Sequence, residues 1–128
     1  MGETHTPQPG MVTWVDLTTE DAKAVRDFYC AVVGWRPEAV DMGGYEDYSM
    51  CPPASDTAAA GVCHARGINA GLPPQWLIYI TVADLDHSIE QCRKLGGVLL
   101  DGPRALGSGR FCVIRDPAGA VAALFMPR

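Results

Sequence analysis

Thr18-Thr19-Glu20-Asp21-Ala22-Lys23-Ala24-Val25 is answered, half a chain length later, by Val82-Ala83-Asp84-Leu85-Asp86-His87-Ser88-Ile89 in a sequence of 128 residues. Each copy joins a β-like run to an acidic helix start. Thr18 and Asp21 have capping-box spacing, and Asp84 is placed to cap the second helix. Ala22, Val25, Phe28, Tyr29, Val32 and Val33 follow at three- and four-residue steps, which predicts one apolar helix face. Leu85, Ser88, Ile89, Cys92 and Leu95 form the matching stripe in the second copy. Gly34 and Gly96-Gly97 stop the two helices.

Working outward, strands are predicted over Met11 to Leu17, Trp35 to Val40, Tyr45 to Cys51 and Ala58 to Arg66. Pro37 assigns the second of these to a sheet edge. In the second copy, strands are predicted over Trp76 to Val82, Val98 to Leu100, Arg110 to Ile114 and Ala120 to Met126. Asp101-Gly102-Pro103 is read as leaving its strand, Leu106 to Gly109 as a flexible turn, and Asp116-Pro117-Ala118-Gly119 as a tight turn. The result is an α+β fold, a single domain over 1–128. It holds one βαβββ module at 11–66, a linker at 67–75 and a second module at 76–126. A helix covers one face of each module's sheet. The opposite faces together predict a curved mixed sheet around a shared cavity, a trough.

The net charge of −5 and the scattered Lys and Arg argue against nucleic acid or an anionic membrane as partner. No apolar run approaches the roughly 20 residues of a membrane span. Residues 1–10 are polar, lack a signal-peptide core and are expected to fray. The five cysteines, Cys30, Cys51, Cys63, Cys92 and Cys112, are odd in number and have no C-x-x-C spacing. That pattern speaks against disulfides and zinc knuckles, and for small buried thiols in a reducing cytoplasm.

The tandem pattern resembles the vicinal oxygen chelate superfamily, which includes glyoxalases, bleomycin-resistance proteins and extradiol dioxygenases. The residues that carry the resemblance are Asp27-Phe28-Tyr29 followed by Gly34-Trp35, then Val82-Ala83-Asp84-Leu85, Gly96-Gly97 and Asp116-Pro117-Ala118-Gly119. In metal-using members, His, Glu or Gln ligands come from the first and last strands of each module. The resemblance puts three of those corners at Trp14, Leu77 and Ala123, and leaves the fourth open among Cys63, His64 and Ala65. Trp, Leu and Ala do not ligate divalent metals. The expectation is therefore no metal and no other cofactor. The resemblance also implies a homodimer.

If the corner positions Trp14, Leu77 and Ala123 point into the trough, as the resemblance implies, strand alternation sends Asp16, Tyr79 and Phe125 in with them. This lining suits a small aromatic or apolar ligand. Asp16, beside apolar walls, is a candidate general base, or a carboxylate paired with Arg66 or Arg110. His64 is a candidate proton shuttle. Tyr48 and Arg110 are further ligand-binding candidates with their faces unassigned, and Glu46-Asp47 reads as a solvated edge. Three functions follow: a metal-free binding protein, a metal-independent lyase, isomerase or hydroxylase-like enzyme using Asp16 or His64, and a metal enzyme with ligands elsewhere.

Overall fold

The computed structural model describes residues 8–66 and 70–128. The expected frayed tail up to Pro7 and the start of the linker, 67–69, lie outside the described residues. In chain order the elements are β1 (Val12–Thr19), α1 (Ala22–Val33), β2 (Arg36–Asp41), β3 (Glu46–Cys51) and β4 (Ala60–His64), then β5 (Trp76–Thr81), α2 (Leu85–Lys94), β6 (Val98–Leu106), β7 (Gly109–Arg115) and β8 (Val121–Met126). The order is βαβββ twice, as the repeat requires. The chain forms two compact units. Among the described residues, one gathers 8–14 with 77–128, and the other holds 15–66 with 70–76. The cut falls inside β1 and not at the linker.

In the α1 unit the strands run β2-β3-β4-β1, which leaves β2, with Pro37, at the edge. β1 and β4 are parallel, with Asp16 opposite Gly61 and Thr18 opposite Cys63. Ala22, Tyr48, Met50 and Val62 form the core under α1, and Val25, Tyr29, Trp35 and Trp76 pack against it. The indole N–H of Trp76 donates to the Tyr29 hydroxyl at 3.2 Å. Asp21 caps α1, its Oδ1 accepting the Ala24 N–H at 3.2 Å. Thr18 is not part of that cap; β1 runs on to Thr19, and Thr18 is buried in it. Gly34 ends the helix at φ +87°, where its N–H reaches the Cys30 carbonyl. The predicted apolar face of α1 is only partly used: Phe28 and Val32 are 56% and 63% exposed.

In the α2 unit the strands run β5-β8-β7-β6. Leu85 and Ile89 of α2 close onto Cys112 and Leu124, with Ile80, Val82, Ile114 and Met126 around them. Asp84 caps the helix by accepting the His87 N–H at 3.1 Å. Leu95 does not join the stripe; it stands past the last turn, 72% exposed. β6 corrects two expectations. It continues through Asp101-Gly102-Pro103 to Leu106, and Leu106 pairs with Gly109, so the glycine turn is a tight hairpin. The continuation is possible because β6 is an edge strand, where proline and register shifts near Asp101 are tolerated.

Candidate functional site

Pairing registers fix which side chains share a sheet face. In the α1 unit, Leu17, Val62 and Tyr48 stand in register, and Val62 and Tyr48 are in the core under α1. Asp16, Gly61 and Ser49, one step along each strand, therefore occupy the helix-free face, with Thr18 and Cys63 beyond them. Asp16 is thus on the expected face. Cys63 joins it there, whereas His64 stands on the helix side.

Asp47 holds this end of the sheet together. Its Oδ1 accepts the His64 backbone N–H at 2.8 Å and lies 3.4 Å from the His64 Nδ1. It also accepts a hydrogen bond from the Cys63 thiol. Asp47 is 6% exposed, so it is not the solvated edge that the polar pair Glu46-Asp47 suggests. Burial, then the charges of Asp16 and Asp47, push the Cys63 thiol far above its ordinary value. The shift favours the neutral thiol of Cys63, which is a weak nucleophile.

His64 and Tyr48 belong to an aromatic cluster on the helix side. The His64 ring lies 5.7 Å from that of Tyr45 and 6.2 Å from that of Tyr48. The guanidinium of Arg26 sits 4.8 Å above Tyr48, and that of Arg66 sits 4.1 Å above Tyr45. Tyr48 is therefore a buried core residue, and Arg66 is engaged with Tyr45.

In the α2 unit, Ile80 and Val82 pack toward α2, which leaves Leu77, Tyr79 and Thr81 on the helix-free face. Tyr79 pairs with Ala123 and Thr81 with Phe125. Phe111 and Val113 of β7 stand opposite Phe125 and Ala123 on the same face. Four of the expected lining residues, Leu77, Tyr79, Ala123 and Phe125, are thus brought together. The Thr81 hydroxyl meets that of Thr13 at 3.1 Å, and Trp14, the next residue of β1, is half-buried. Arg110 stands opposite Met126 on the helix side, where its guanidinium lies 3.4 Å from Asp86.

Sequence reasoning missed Phe111, Arg104 and Asp101. The Phe111 ring lies 6.0 Å from that of Tyr79, and the Arg104 guanidinium sits 4.9 Å above Phe111. Arg104 also pairs with Asp101 at 2.7 Å. The face is an aromatic platform with one cation over it. Alternation within β7 was the signal available for Phe111 once the face of Arg110 was fixed, but Arg104 was hidden by the bulged path of β6.

The donor set does not fit the metal that the resemblance implies. The resemblance puts indole, isobutyl and methyl groups at three corners; for the fourth, left open among Cys63, His64 and Ala65, Cys63 carries a thiol raised by burial and the His64 ring lies against Tyr45 and Tyr48. Among the described residues, no group of three or more His, Cys, Asp or Glu stands close enough to hold a metal ion. Nor is any helix among them long and apolar enough to cross a membrane.

Comparison with known proteins adds a family. The family model described as Glyoxalase/Bleomycin resistance protein/Dioxygenase superfamily matches residues 11–124. CFP32 of Mycobacterium tuberculosis (strain CDC 1551 / Oshkosh), provisionally named a glyoxylase, is 34% identical over 118 residues, which is 91% of this chain and 45% of that protein. The anthracycline biosynthesis protein DnrV of Streptomyces peucetius is 33% identical over 119 residues, 93% of this chain and 42% of that protein. The chain therefore spans less than half the length of these curated relatives. Among solved structures, methylmalonyl-CoA epimerase from Mycobacterium tuberculosis shares the fold at TM-score 0.54 and 19% identity, over 99% of this chain and 94% of that one.

Proposed function

The chain belongs to the glyoxalase/bleomycin-resistance/dioxygenase superfamily, and from that premise we propose that it binds a small, flat, aromatic or apolar molecule on its helix-free sheet faces, without a divalent metal. The observation that carries this reading is the chemistry of the corners. Leu77 and Ala123 are buried apolar groups, and Cys63 is held protonated by its surroundings. The aromatic set Tyr79, Phe111 and Phe125 offers stacking surface. A relative at 33% identity is named for anthracycline biosynthesis, and an anthracycline is a planar polycyclic aromatic.

The test is a titration of the tryptophan fluorescence with 1,8-dihydroxyanthraquinone, alongside elemental analysis of the purified protein. The expected results are saturable quenching, a loss of affinity of about fivefold or more in Phe125→Ala, and no stoichiometric metal. Stoichiometric zinc, nickel, manganese or iron, or the absence of saturable quenching, would overturn the reading.

A second reading is a metal-independent enzyme of this family that uses Asp16 as its acid or base. It is favoured by the position of Asp16 on the helix-free face, close enough to Cys63 to raise its thiol. His64 fits that role less well, because it stands on the helix side with its ring against Tyr45 and Tyr48. Turnover lost in Asp16→Asn and kept in His64→Gln supports this reading; turnover kept in both ends it.

Two further properties belong to the proposal. The chain acts as a homodimer, supported by curated relatives that carry more than a second length of chain beyond the matched part and by the exposed Phe28 and Val32. It resides in a reducing cytoplasm, supported by five free thiols.

A further inference from the structure

β6 breaks its own alternation and so puts two charges on an apolar face. In a regular strand Asp101 and Arg104, an odd number of residues apart, point to opposite sides. Here the register with β7 shifts on both sides of Asp101, so Asp101 stands opposite Val113 and Arg104 opposite Phe111. Val113 and Phe111 belong to the helix-free face, and both charged side chains join them there. Gly102 permits the detour. It sits at φ +90°, and a Cβ on it would stand 2.8 Å from the Phe111 carbonyl oxygen. Bulges re-aim side chains and are frequent beside active sites.

Stability alone does not call for the pair that this bulge delivers. Apolar side chains at the two positions would cover Val113 and Phe111 as well or better. Instead a guanidinium nitrogen of Arg104 meets the Asp101 carboxylate at 2.7 Å, and the same guanidinium stacks 4.9 Å from the Phe111 ring centroid. That ring is 6.0 Å from the ring of Tyr79. A planar cation is thus held at the border of an aromatic surface.

We propose that Arg104 is the specificity-determining residue of this face. It receives the carboxylate of an aromatic ligand, and Asp101 is the resident counter-ion that the ligand displaces. This rests on the reading that the helix-free face binds a flat aromatic molecule, and adds the charge of that molecule. The guanidinium fork matches a carboxylate in shape, and its charge persists at every physiological pH. Asp101 already presents a carboxylate to it. Asp101 is the more exposed partner, 30% against 17%, and lies on an edge strand, so it can withdraw into water while Arg104 stays stacked. A neutral ligand leaves the pair in place and gains no charge-assisted hydrogen bond.

The experiment is calorimetric titration of the whole chain with two probes of one shape, anionic 2-naphthoate and neutral 2-naphthamide. At about pH 7.5 the acid is fully ionised. 2-Naphthoate should bind at least about tenfold more tightly than the amide. Arg104→Met keeps an unbranched apolar stem against Phe111 and should bring the two probes to within about twofold of each other. Asp101→Asn removes the competitor and should tighten 2-naphthoate by about threefold or more. Equal binding of the two probes by the native chain overturns the inference without any variant having to fold. So does an unchanged preference in Arg104→Met, or weaker 2-naphthoate binding in Asp101→Asn. Saturable binding of the anthraquinone but of neither naphthalene also overturns it and leaves the parent reading intact. If the native chain binds none of the three compounds, both fall.

Discussion

Among single residues, the thiols are the most exacting test of the structure. Burial, the charges of Asp16 and Asp47, and a hydrogen bond to Asp47 all raise Cys63. Burial first, and Cys92 second, raise Cys112 from 9.0 to about 11. Both should alkylate slowly with iodoacetamide at pH 8 in the folded chain, and quickly in denaturant, as read by peptide mass mapping. The sign for stability follows. A thiol raised by folding stabilises the native state fully below pH 9.0, and that contribution is lost as pH climbs to about 11. The urea midpoint should therefore fall across that window, and fall less in Cys112→Ala. A flat midpoint in the native chain would contradict the burial described. At this scale the sequence was only partly legible. Asp16 was placed on its face by alternation from Trp14, a corner that the resemblance supplied. Asp47 was not, because a carboxylate beside Glu46 looks like solvent-facing edge until the register with Cys63 and His64 is known.

Among elements, the β6–β7 hairpin and β8 show how far local pattern reaches. The helix caps Asp21 and Asp84 and the stop at Gly34 were readable because capping chemistry is local. The hairpin was misread because Asp101-Gly102-Pro103 interrupts alternation with register shifts that only the partner strand resolves. Gly109 carries the consequence. A Cβ there would stand 2.5 Å from the Met126 carbonyl oxygen and 2.8 Å from the Phe125 ring. Gly109→Ala should cost about 1–3 kcal/mol by thermal or urea unfolding. It should also perturb the Phe125 ring resonances, because that ring lies over the glycine. Gly71→Ala, with no atom within 4 Å of the added carbon, is the matching control and should be near neutral. Equal stability in the two variants would count against this packing. Asp84→Ala should cost about 1 kcal/mol, since it removes the acceptor for the His87 N–H.

For the whole molecule, the repeat named the class and the order of elements, because two βαβββ copies leave few ways to bury two helices on sheets. The two compact units have borders of their own. Val12 to Trp14 cluster with residues from the other end of the chain. The Thr81 N–H donates to the Met11 carbonyl, and the Gly10 N–H donates to the Thr81 carbonyl, both at 2.8 Å. No residue pattern announces such a pairing, because it depends on which strand edge is left open once the other strands have paired. A fragment of residues 76–128 therefore begins with an unprotected β5 edge, and should self-associate on size-exclusion chromatography. A monodisperse, folded monomer would refute that expectation.

The split inside β1 has a practical reach. The copied text and the compact units have different borders, so an exchange at the seam between the repeats parts Val12 to Trp14 from the residues they cluster with. A chimera that exchanges the C-terminal half with a related chain inherits a mismatched neighbour strand unless the graft also brings the short N-terminal stretch from its own parent.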